Sequence, residues 1–131
     1  MTLTATERQL LHIAKAAVSG GEVTAESVDW PAIFTLANQQ KLLPILFEAV
    51  RKTPAAKENA ALFAVTKQQV IAQVLHQTMR ASEFADLYQK LRAAGLHPIV
   101  VKGQLCSRLY PQTDHRISAD DDLLIPDGEF F

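Results

Sequence analysis

The chain has 131 residues, 48% of them hydrophobic, and a formal net charge of −1. That length suits a single domain with a modest core, and the balanced charge excludes a strong global pull toward nucleic acid or an anionic membrane. Charge is uneven along the chain: residues 1–110 carry twelve Lys/Arg against eight Asp/Glu, and residues 111–131 carry one against six, so the acidic end is either a cation site or a solvated terminus.

Thr4 to Glu7 reads as a capping box, with Thr4 as N-cap and Glu7 reaching back. Leu10, Leu11, Ala14, Ala17 and Val18 then recur at helical spacing up to Gly20-Gly21. His12 borders that stripe with no second ligand four residues on, so it reads as a partly buried structural histidine. Asp29 caps a second helix with Pro31 in its first turn. Trp30, Ile33, Phe34 and Ala37 form its apolar face. Pro44 marks the first turn of a third helix that runs to Val50 through Leu42, Leu43, Ile45 and Leu46. Lys52 to Lys57 is a polar link holding Pro54. No Gly or Pro interrupts residues 56–94 beyond that link. There Val70, Val74, Gln77, Ala81, Phe84, Tyr88 and Leu91 step alternately by four and three, widened by Ile71, Leu75 and Leu87. The pattern predicts one long amphipathic helix ending at Gly95. Its other face, with Gln69, Gln73, His76, Arg80, Glu83 and Lys90, is most simply solvated.

The chemistry concentrates in Leu96 to Pro126. Ile99 to Val101 is a short β-branched run suited to a buried strand. Lys102-Gly103 ends it, and Gln104 to Leu109 forms a turn or two of helix. Tyr110-Pro111 closes that helix, because a residue before proline is pushed out of the α region. A polar loop with Asp114, His115 and Arg116 follows. Asp122 to Ile125 reads as a second strand, stopped by Pro126 and the Asp127-Gly128 turn pair. Three aspartates stand at its mouth. Strand side chains alternate faces, so Asp120 and Asp122 point one way and Asp121 the other. Two neighbouring carboxylates repel unless one is protonated, both are well solvated, or a divalent cation joins them. For the pair taken alone, an acidic turn before a strand is the simpler reading. The lone Cys106 forms no internal disulfide, fits a reducing cytoplasm and reads as a buried, inert thiol. The N-terminus lacks a basic leader and no apolar run reaches membrane-spanning length, so a soluble cytoplasmic protein is expected.

The run Val-Val-Lys-Gly, then Leu-Tyr-Pro, then Arg116, then Asp-x-Asp-Leu-Leu-Ile resembles the bacterial "uncharacterised nucleotidyltransferase" family, of the polymerase-β-like superfamily. Lys102, Gly103, Tyr110, Pro111, Arg116, Asp120, Asp122, Leu123 and Leu124 fall on its pattern. Trp30 to Ala37 and Leu42 to Leu46 are similar to its helical start. Three positions depart from it: Gln104 where the superfamily usually has Ser, Asp121 where an apolar residue anchors the strand, and Ala119 where Gly is frequent.

The resemblance implies an α+β fold, mostly α: an N-terminal helical bundle over residues 1–95, then, over 96–131, the first two strands and intervening short helix of a nucleotidyltransferase core. The strands are expected at about 98–101 and 121–125. It also implies nucleotidyl transfer from an NTP to an unknown acceptor. Asp120 and Asp122 would be catalytic and hold Mg²⁺ or Mn²⁺. Lys102, Gly103, Gln104 and Arg116 would bind nucleotide phosphates. A third carboxylate on a later strand completes such a site, so the chain reads as an N-terminal fragment, inactive alone and prone to dimerise through residues 97–131 with Phe130 and Phe131. The rival readings are a helical interaction module and a degenerate, nucleotide-binding protein without turnover. Nothing indicates nucleic acid as a partner.

Overall fold

Thr4 Oγ1 accepts from the Glu7 amide at 3.2 Å, and Glu7 Oε2 accepts from the Thr4 amide at 2.6 Å. The capping box is therefore closed, and it starts helix α1, Ala5–Ser19. The structure, a computed structural model, describes residues 1–24 and 26–126. Helix α2 spans Trp30–Gln39, with the Asp29 carboxylate accepting from the Ala32 amide at 3.2 Å. Helix α3 spans Leu43–Val50. Short helix α4, Pro54–Glu58, precedes the 34-residue α5, Ala60–Ala93. Strand β1, Ile99–Lys102, helix α6, Gln104–Ser107, a 3₁₀ turn at Thr113–His115 and strand β2, Asp122–Leu124, complete an α+β fold that is mostly α.

The core lies in the N-terminal half. Ile33, Ala37, Leu43, Leu46 and Val50 are wholly buried. Around them Trp30, Phe34, Phe47 and Phe63 form one aromatic cluster; the Phe34 and Phe63 rings meet edge-on with centroids 5.1 Å apart. Such contacts add about 0.5–1.5 kcal/mol to the value of burial alone. Phe63, near the start of α5, ties the long helix to this core.

Three local expectations need correction. On α1 the buried face is Leu10, Ile13 and Ala16, while Leu11 and Val18 are 54% and 64% exposed. Packing against α3 selects the Ile13 side, and His12 falls on the exposed side with Nε2 3.5 Å from Thr24 Oγ1. The link at residues 52–57 is partly helical, because Pro54 occupies a first-turn position, where its fixed φ favours a helix. Asn59, at φ −120° and ψ 42°, then breaks the chain, so α5 starts at Ala60. On α5 itself only Phe63, Thr66, Val70 and Gln77 are buried; Ile71, Leu75 and Leu87 are about half exposed. The helix outruns the core that covers its first third. Among the described residues, no helix is long and apolar enough to cross a membrane.

The two strands pair antiparallel, Ile99 opposite Leu124 and Val100 opposite Leu123. The register then slips, so that Lys102 faces Asp122 and Val101 is the extra residue of a β-bulge. The β-branched run Ile99 to Val101 reads as a buried strand. Instead Ile99, Val101 and Leu124 are each just over half exposed, while Val100 and Leu123 turn partly inward. Asp127, Gly128, Phe130 and Phe131 lie outside the described residues.

Candidate functional site: the glycine step and the acidic strand

Gly103 sets the geometry. It is buried, with φ +80° and ψ −106°, a conformation glycine adopts far more readily than other residues. A Cβ there would strike Asp121 Oδ1 and sit 2.8 Å from both Asp120 O and Asp121 Cα. The acidic strand can therefore approach the end of β1 only because residue 103 has no side chain. Arg116 braces the same step from its loop, its Nη1 donating to Gly103 O at 3.2 Å.

Exposure alternates along the acidic strand: Asp120 and Asp122 are exposed, Asp121 and Leu123 are not. Asp121, the residue before β2, faces inside, where an apolar residue would ordinarily pack. Its side chain is only 11% exposed. It is satisfied by Arg80 of α5, whose Nη2 donates to Oδ2 at 3.1 Å, and by Gln104, whose Nε2 donates to Oδ1 at 3.3 Å. Arg80 Nη1 and Gln77 Nε2 both donate to Ser118 O, at 2.9 and 3.1 Å. Two of the departures from the family pattern, Gln104 and Asp121, are thus partners of each other.

On the open side, Lys102 Nζ lies 3.0 Å from Asp122 Oδ2, with the two side chains 53% and 49% exposed. That hydrogen bond, the Asp122 charge and the more distant Asp120 charge raise the Lys102 ammonium above its ordinary pKa. A cleft of about 180 Å³ lies between the step and α5, lined by Gln77, Ala81, Gly103, Gln104, Arg116 and Ser118, and not by Lys102, Asp120 or Asp122.

Of the residues marked by the sequence, Lys102 and Asp122 meet directly, Gly103 and Arg116 meet through the backbone, and Gln104 reaches Asp121 rather than the open side. Asp120 stands exposed at the strand mouth. Two exposed carboxylates fit a hard divalent ion that keeps much of its water, as Mg²⁺ does, and Asp122 already accepts a cation in the form of Lys102. No third carboxylate, His or Cys groups with them among the described residues.

Arg80 is the residue the sequence reading missed, having been set on the solvated face of α5. A signal existed: it lies three residues after the inward Gln77, and an acidic residue at an inward strand position calls for a cation.

No curated protein and no solved structure matches the chain. A family model described as "Uncharacterised nucleotidyltransferase" matches residues 26–130, spanning the aromatic core, the glycine step and the acidic strand. The chain belongs to that family.

Proposed function

We propose that this chain carries the phosphate- and metal-binding limb of a nucleotidyltransferase, residues 96–131, mounted on a helical region, residues 1–95. The observation that supports it best is the half-exposed Lys102–Asp122 pair beside the turn at Gly103, with Asp120 exposed two residues before Asp122. Asp120 and Asp122 would hold Mg²⁺ or Mn²⁺, which when bound neutralises triphosphate charge and activates the attacking hydroxyl. Lys102 offers an ammonium to the donor's phosphate oxygens. Gly103, read from the sequence as a phosphate contact, is buried and serves the site by letting the acidic segment approach the end of β1. Gln104 and Arg116, read from the sequence as phosphate ligands, serve this site in part by holding Asp121 and the Gly103 carbonyl. The acceptor oxygen then bonds to the α-phosphorus of an NTP as the bond to pyrophosphate breaks.

Calorimetry with ATP, with and without Mg²⁺, tests the binding, and release of labelled pyrophosphate tests the transfer. The Asp120→Asn, Asp122→Asn double variant should lose both while keeping its circular dichroism spectrum. Unchanged Mg²⁺-dependent binding in that variant would refute the assignment.

A second reading is a nucleotide-binding protein without turnover, favoured by the engagement of the Gln104 amide with Asp121. It predicts Mg²⁺-dependent ATP binding with no pyrophosphate release. A helical interaction module predicts no ATP binding at all. We also propose a cytoplasmic setting and self-association through residues 97–131. The half-exposed Ile99, Val101 and Leu124 and the open edges of a two-stranded sheet support pairing with a second copy. Light scattering at high micromolar concentration checks it, and a clean monomer counts against it.

A further inference from the structure

The β-bulge at Val101 has a chemical consequence. Continued without it, the register of Ile99 with Leu124 and Val100 with Leu123 would set Val101 opposite Asp122. The extra residue sets Lys102 there instead, and its ammonium closes on Asp122 at 3.0 Å. Both side chains are about half exposed, so water reaches the pair and it is easily opened. Lys102 also feels the charge of Asp120.

We propose that the Lys102 ammonium, paired with Asp122, occupies the position a cation would take beside Asp120 and Asp122, so that a divalent ion enters by displacing it. A divalent ion carries twice the charge of the ammonium and can bind two carboxylates at once. Displacement frees Lys102 for a phosphate oxygen. Metal and phosphate therefore favour each other's binding through this one side chain, and such coupling is reciprocal. The inference rests on the metal reading above and adds to it that Lys102 opposes metal binding when no phosphate is present.

The probe is Mn²⁺ alone, titrated into the whole chain and followed by electron paramagnetic resonance. Lys102→Gln removes the competing cation and its repulsion, so Mn²⁺ should bind about three- to thirty-fold tighter than to the unmodified chain. Lys102→Arg keeps the cation and should stay within about three-fold of the unmodified chain. A second measurement needs no variant. On addition of Mg²⁺, the Lys102 ¹³Cε–¹Hε resonance should shift while those of the other six lysines do not. Equal or weaker Mn²⁺ binding by Lys102→Gln, with binding by the unmodified chain intact, overturns the displacement idea and leaves the metal reading standing. A Lys102 resonance unmoved at saturating Mg²⁺ overturns it too. Absence of Mn²⁺ binding in every chain removes the metal reading and the displacement idea together.

Discussion

Gly103→Ala tests the close approach of the acidic strand, and Gly95→Ala is its control. Both glycines have positive φ, +80° and +86°. Both substitutions therefore incur backbone strain of about 1–3 kcal/mol, partly offset by about 0.4–1 kcal/mol from a less free unfolded chain. They differ in space. Nothing lies within 4 Å of a Cβ at Gly95, whereas at Gly103 it meets the Asp121 carboxylate and two backbone atoms at 2.8 Å. A carboxylate can rotate away; Asp120 O and Asp121 Cα cannot. The mouth of β2 must shift, pulling Asp121 from Arg80 and Gln104, and a hydrogen bond to a charged group is worth about 1.5–3 kcal/mol. Gly103→Ala should therefore cost about 2–4 kcal/mol more than Gly95→Ala, a further loss of roughly 10 °C in Tm for a chain of this length. Trp30 fluorescence reports the distant helical core, so amide exchange in residues 99–102 and 122–124 must be followed beside the melt. Equal losses in the two variants, with equal protection of those strands, would mean that the strand does not approach Gly103 as described.

Arg80→Met strands the largely buried Asp121 carboxylate and should cost about 1–3 kcal/mol, whereas Arg80→Met with Asp121→Leu should return close to the parent; urea titration of the double-mutant cycle reads the coupling. Phe63→Ala removes the ring shared by Trp30, Phe34 and Phe47 and should cost about 3–5 kcal/mol in urea unfolding. Glu7 accepts hydrogen bonds in the capping box, which lower its carboxyl pKa in the folded chain. Its stabilisation is therefore present above the unfolded value and is lost as pH falls through the lower folded value. Amide exchange in the first turn of α1 should rise on acidification below about pH 4.3, and Glu7→Gln should flatten that dependence.

Much of this architecture is legible in residue order because the signals are local. Thr4 with Glu7, Asp29 before Trp30, and the absence of Gly or Pro through α5 each act within a few residues of the structure they specify. The two short strands around Lys102-Gly103 and the Asp-x-Asp mouth are legible for the same reason. Period-two alternation also assigns Asp120 and Asp122 to one side and Asp121 to the other.

Choices between equivalent faces were settled only by packing. The α1 sequence offers two apolar stripes, and α3 takes the one with Ile13, leaving Leu11 and Val18 in water. Arg80 lies on a helix face that reads as solvated, yet α5 runs past its core and lays that face against a loop about forty residues further along the chain. No local pattern announces a bond between residues 80 and 121, because the fold alone brings them together. The bulge at Val101 is likewise a property of two strands in register, not of either strand by itself. The sequence therefore determined which residues carry charge and where the chain turns. The tertiary structure decided which carboxylate is tied inward by Arg80 and which are left open beside Lys102, since a charge lacking a partner is stable only where water can reach it.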